Sequence, residues 1–166
     1  MTFRLPLRDP PEVTQEQHQC WSAAYESWST ACSWIIGGAA AVSEETIEAR
    51  MAQYPNALNE DGAATMGGVG LLMEIGSMHL DPVAGRDLTT DLLATKLRQL
   101  GYIYMPFWAI GRNGPFSHAV VVAHARGGEV RVMDPGRGRG LRTQPTEYYR
   151  NAIAMFLGTH ILAPTS

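Results

Sequence analysis

Cys20 stands in "TQEQHQCWSAAYESW", beside Trp21 and close behind Gln15, Gln17 and Gln19. A thiol in that setting is a candidate nucleophile if the chain also supplies a base, a group that orients the base, and a donor for an oxyanion. The thiolate, not the thiol, attacks carbonyls, and a free cysteine ionises only at about pH 8.5. A helix N-terminus favours the anion, and Cys20 sits where a helical pattern begins. Among the histidines, His118 is the best-placed base: it follows "NGPFS" and opens the strand-like run "HAVVVAHA". The run "EVRVMDP" ends in Asp134, 16 residues after His118. Counting both arms back from a turn at Gly127-Gly128 brings His118 and Asp134 together at the open end of a hairpin. A carboxyl there can hold the imidazole in one tautomer.

Positioning these groups takes a helix behind Cys20 and a sheet carrying the other two. Over residues 20–36, Trp21, Ala24, Tyr25, Trp28, Ala31, Cys32 and Ile35 recur at the helical period, and Gly37-Gly38 ends the run. Apolar residues on much of its circumference mark this helix as buried. Ser43 caps a second helix, with Glu45 and Glu48 in its first turns and Pro55 as its stop. "GGVGLLMEIGSMHL" reads as a short helix, and "LTTDLLATKLRQLG" as a longer one stopped by Gly101. Then the character changes. "YIYMPFWAI", "HAVVVAHA" and "EVRVMDP" are rich in β-formers, and the last two flank a glycine turn at Arg126-Gly127-Gly128. "NAIAMFLGTHILAP" fits a strand or a short helix. Residues 1–14, rich in Pro and Arg, read as an extended lead-in. Helices followed by an antiparallel sheet make an α+β plan, and residues 1–166 make one domain.

Glutamines ahead of Cys20-Trp21, His118 opening a strand, and Asp134-Pro135 beyond it form a pattern that resembles the papain-like cysteine peptidases. The resemblance is to their compact bacterial branches: the double-glycine leader peptidases of bacteriocin exporters, and papain-like effectors delivered into other cells. It implies a papain-like fold in which an N-terminal helix carrying Cys20 packs on a C-terminal antiparallel sheet. It implies Cys20 as nucleophile, His118 as general base, Asp134 as the residue that orients the imidazole, and Trp21 as an aromatic wall of the substrate cleft. A glutamine side chain would donate to the oxyanion; Gln15 is the choice over Gln17 and Gln19. The implied activity is a cysteine endopeptidase on a protein or peptide substrate, cutting after small residues such as glycine. A deamidase or amidase on the same triad, and a catalytically inactive binding module, are the rival readings. The implied setting is a bacterial effector or toxin. It would be made in the cytoplasm without a cleaved signal peptide, delivered by a specialised secretion system, and neutralised in its producer by an immunity protein. No metal or organic cofactor is implied.

The bulk properties agree with such a domain. The chain has 166 residues, 45% of them hydrophobic, with a formal net charge of −3 and a pI of about 5.9. Neither value suggests a general nucleic-acid binder, which would normally show a basic face. The first residues have no apolar core of a secretory signal, and no run approaches the roughly 20 apolar residues of a membrane span. Cys20 and Cys32 are the two cysteines. On one helix they stand roughly 18 Å apart along its axis, too far for a disulfide. Cys32 shares a face with Trp21, Trp28 and Ile35 and reads as core. His18 with Cys20 lacks the partner motif of a zinc site. "GGVG" and "GRGRG" lack the Lys-Ser/Thr of a phosphate loop and read as plain loops. Arg137, Arg139 and Arg142 read as a solvated loop, or as a rim that meets an acidic partner.

Overall fold

The computed structural model describes residues 2–14, 19–136 and 139–161. The periodic run behind the cysteine forms α1 (Cys20–Ile35), with Trp21, Ala24, Tyr25, Trp28, Ala31 and Cys32 buried. Ser43 accepts from the Thr46 N–H and caps α2 (Glu44–Met51), which ends before Pro55 is reached. The expected helix at "GGVGLLMEIGSMHL" is two short ones, α3 (Met66–Gly70) and α4 (Leu72–Ile75). Its last residues belong instead to a strand, β1 (Met78–Val83), so the first hundred residues are not all helix and loop. Thr89 caps α5 (Thr90–Leu100), and Gly101 closes it at φ 86°, a conformation that favours glycine.

The remaining strands are β2 (Ile103–Gly111), β3 (Gly114–Arg126), β4 (Glu129–Asp134), β5 (Gly140–Pro145) and β6 (Ala154–His160). "NAIAMFLGTHILAP" therefore resolves to a strand. Short 3-10 turns occupy Gly85–Asp87 and Thr146–Tyr149. The sheet runs β1-β6-β2-β3-β4-β5, and every neighbouring pair is antiparallel. Gly127 and Gly128, both at positive φ, make the tight turn between β3 and β4. In β3, Ala119 through Ala123 are buried without a break, so both faces of the strand are covered there. Both α1 and α5 pack on it.

Three expectations need correction. His118 does not open its strand: β3 starts at Gly114, and its first residues pair with β2 alone. On a regular strand His124, six residues on, would share a face with His118, and it does not. The β3–β4 register slips between Val122 and His124, and the extra residue reverses the alternation. Arg142 is not in a loop but in β5, paired with Val132.

The lead-in is extended, and it is fastened along its length. Phe3 N–H donates to the Arg98 carbonyl, Tyr102 Oη to that of Arg8, and Ser27 Oγ to that of Pro11. Arg131 makes a two-pronged contact with Asp9, at 3.2 and 3.1 Å, and Leu141 N–H donates to Glu12 at 3.1 Å. The lead-in thus ties α1 to β4 and β5.

Candidate active site

Cys20 is the first residue of α1. The N-cap, Gln19, makes no side-chain cap and the first turn carries no acid, so within the helix itself nothing offsets the positive end at Cys20. The Cys20 side chain is largely covered (7% exposed), and its Sγ lies 4.0 Å from the Ser117 carbonyl. The next residue on that strand is His118, whose side chain lines the same small cavity as Cys20. The helix start and the middle of β3 therefore meet, although 97 residues separate Cys20 from Ser117.

The imidazole is held from three sides. Its Nε2 donates to Asp134 Oδ1 at 2.6 Å, which leaves Nδ1 for Cys20. The ring of Phe107, its cross-strand partner on β2, packs edge-on at 5.9 Å. Burial pushes the imidazolium down, but the hydrogen bonds to Asp134 and Cys20 outweigh it and lift the pKa to about 9.

Asp134 ends β4 and is 2% exposed. Its Oδ1 also accepts from Gly136 N–H at 2.9 Å, and Arg139 Nη1 lies 3.5 Å from Oδ2. Burial works against the charged carboxyl, but His118, the Gly136 N–H and Arg139 together hold it below the usual carboxylate range. The Asp-Pro-Gly sequence thus does two things: it makes the side-chain-capped turn that its composition suggests, and it aims the same oxygen at His118.

Trp21 is buried, and its indole Nε1 donates to the Gly62 carbonyl at 3.1 Å. That bond draws the 59–65 loop over the helix start. Trp21, Ala63, Ala64, Trp108 and Ser117 then wall a slot beside Cys20 and His118, with a cavity volume of about 10 Å³. That is room for about one water molecule. A much larger hollow of about 480 Å³ lies at the other end of the β3–β4 hairpin, beside His124 and Arg131, and carries none of these groups.

The sequence-derived set is therefore brought together at Cys20, Trp21, His118 and Asp134. Gln15 and Gln17 lie outside the described residues, as does Arg137; Gln19 is described, as the N-cap of α1. Sequence reading missed Ala63, Ala64 and Trp108 as slot walls, and Arg139 as a partner of Asp134. Trp108 stood in a recognised strand, whereas two alanines in a loop carry no chemical signal. Among the described residues, no three His, Cys, Asp or Glu side chains converge as metal ligands, and no helix is long and apolar enough to cross a membrane.

No protein-family model and no curated protein matches the chain. Solved structures do. The peptidase domain of Streptococcus ComA, a bi-functional ABC transporter involved in a quorum-sensing pathway, aligns at TM-score 0.58 and 12% identity, covering 90% of this chain and 97% of that one. A double glycine motif protease from an AMS/PCAT transporter, solved with its leader peptide, aligns at 0.56 and 13% identity, covering 95% and 98%. A protein from Bacillus anthracis described as a C39-like peptidase aligns at 0.54 and 12% identity over the whole of both chains. The chain has the papain-like cysteine peptidase fold, α+β, with the cysteine on its N-terminal helix packed on an antiparallel sheet.

Proposed function

We propose that the protein is a cysteine peptidase acting through Cys20, His118 and Asp134 on a protein or peptide chain. The observation that carries this reading is the 2.6 Å bond between His118 Nε2 and Asp134 Oδ1, with Cys20, the first residue of α1, lining the same small cavity as His118. With its pKa near 9, His118 is an imidazolium at neutral pH and faces the sulfur. Sγ attacks the scissile carbonyl, and the proton taken from the thiol stays on His118. The oxyanion accepts from the Cys20 N–H and, in this reading, from the Gln15 side chain. His118 protonates the leaving amine as the C–N bond breaks. A water then attacks the thioester, giving one proton to His118 and releasing the acid. The returned proton stays on His118 beside the freed sulfur, which restores the starting pair.

The slot beside Cys20 accommodates almost no side chain, which supports a glycine before the cut. The neighbour solved with a leader peptide is a double glycine motif protease, and the same preference is proposed for this chain. The test incubates wild type and Cys20→Ala with peptides carrying Gly-Gly, Gly-Ala or Ala-Ala and reads the products by mass spectrometry. New termini after Gly-Gly, absent with Cys20→Ala, are expected. A mass gain of about 1 Da without new termini would sink the peptidase reading in favour of a deamidase. Delivery into a second cell as an effector, with an immunity protein in the producer, extends the proposal. It requires that expression of wild type in a bacterial cytoplasm be toxic and that of Cys20→Ala not.

A further inference from the structure

We propose that Arg139 is a positioning residue for the triad: its guanidinium holds the second oxygen of Asp134, so that the first stays aimed at His118. The inference rests on reading Cys20, His118 and Asp134 as that triad. Asp134 is 2% exposed, so each of its oxygens needs a partner inside the protein. Oδ1 has two, His118 Nε2 at 2.6 Å and Gly136 N–H at 2.9 Å. Oδ2 has, among the described residues, only Arg139 Nη1, at 3.5 Å. The terminal torsion of an aspartate is broad and nearly two-fold. With Oδ2 released, the carboxylate can turn, and the oxygen facing the imidazole changes its angle and distance.

Arg139 is itself aimed. Its N–H donates to the Gly136 carbonyl at 3.1 Å and closes the turn that follows β4. Gly136 leaves the path open: a Cβ there would stand 2.9 Å from Arg139 Cδ and 3.0 Å from Asp134 Oδ1. Tyr148, in the 3-10 turn after β5, is the largest influence holding the guanidinium in its charged form. Glu12, the acid nearest this turn on the lead-in, lines the adjoining cavity of about 270 Å³ and accepts from Leu141 N–H. The ionisable groups around the Asp134 carboxylate are thus His118 from β3, Arg139 from the turn, Tyr149 from the 3-10 turn, and Glu12 across the cavity. Among the described residues, Arg139 supplies the single hydrogen bond on Oδ2. Its side chain is 45% exposed, so replacing it does not open the core.

The test measures alkylation of Cys20 by iodoacetamide at pH 6.5, a readout that needs no substrate. It compares wild type, Arg139→Gln, Arg139→Lys and Tyr148→Phe, with His118→Ala as the reference for the site and Arg142→Gln as a control for surface charge. Thermal midpoints are recorded for all. Arg139→Gln is expected to label about tenfold more slowly than wild type, the size of effect that loss of a charge-assisted partner gives. Arg139→Lys should recover part of the rate, Tyr148→Phe should fall between, and midpoints should stay close to wild type. If wild type labels no faster than His118→Ala, the triad reading fails. If wild type outpaces His118→Ala but Arg139→Gln labels as wild type does, the triad stands and the role of Arg139 is overturned. An equal loss in Arg142→Gln, which has no hydrogen bond to Asp134 among the described residues, would reduce Arg139 to bulk charge and overturn it too.

Discussion

The indole N–H of Trp21 donates to the carbonyl of Gly62 at 3.1 Å, across 41 residues of chain. The side chain next to the nucleophile therefore acts twice: it walls the slot, and it pins the loop that supplies Ala63 and Ala64 to the opposite wall. Trp21→Phe keeps an aromatic wall and removes the donor. The loop should then stand off, and discrimination between Gly and Ala before the cut should weaken. A pocket that rejects one methyl group earns roughly 10- to 200-fold selectivity, and a tenfold reduction in the ratio of kcat/KM values is expected. Steady-state kinetics on matched Gly-Gly and Gly-Ala peptides measure it.

In the proposed mechanism the basic limb of the pH profile belongs to His118. Its folded pKa of about 9 lies above the ordinary histidine value, so the imidazolium that protonates the leaving amine persists through neutral pH and is lost near 9. The stability that accompanies it has the same sign. It is fully present below the unfolded value of about 6.5 and is lost as pH rises from there through 9. Thermal midpoints of wild type and His118→Gln should converge over that interval. A gap that widens instead would contradict the assigned shift.

The two cysteines should behave as opposites. Cys32 is fully buried, and burial pushes its thiol far up, so it offers no thiolate at neutral pH. Iodoacetamide should modify the native protein once, at Cys20, and modify Cys32 only after unfolding. Cys32→Ser places a hydroxyl in the core at a cost of about 1–3 kcal/mol, which urea denaturation should reveal without change at Cys20.

Two glycines of the same short helix make a paired test. A Cβ on Gly68 would fall 2.1 Å from the Ala57 carbonyl oxygen, whereas one on Gly70 meets nothing within 4 Å. Gly68→Ala should destabilise by about 1–3 kcal/mol, as overpacking does, and disturb the base of the slot wall formed by Val69. Gly70→Ala should be neutral or gain up to about 1 kcal/mol. Equal effects at the two positions would argue against this packing.

Much of the site was legible because its residues sit where patterns change. Cys20 marks the onset of a helical period, and Asp134 marks the end of an alternating strand, so counting back from Gly127-Gly128 was enough to place His118 and Asp134 near each other at the open end of the hairpin. Counting on a regular strand would put His124 on the face of His118, and the one-residue bulge that prevents this leaves no composition mark. The strands missed were β1 and β5, the two edges of the sheet. Edge strands are short, carry polar residues and tolerate proline, as Pro82 and Pro145 do here, so their sequences do not look like strands. The slot walls in the 59–65 loop were invisible because only a tertiary bond, Trp21 to Gly62, brings them to the site.

The fastening of the lead-in bears on how the protein matures. Its ties reach 122 residues to Arg131 and 129 to Leu141, and the nucleophile's own neighbour on β3 is 97 residues away. Contacts of such sequence separation form late and together, since their loop-closure entropy must be met before they stabilise anything. A chain emerging from the ribosome as far as Phe116 carries Cys20 but neither His118 nor Asp134, and in the proposed mechanism Cys20 is then an ordinary thiol. The proposed reactivity at that sulfur awaits the docking of β3 and β4 on α1, which makes alkylation of Cys20 a reporter of that docking.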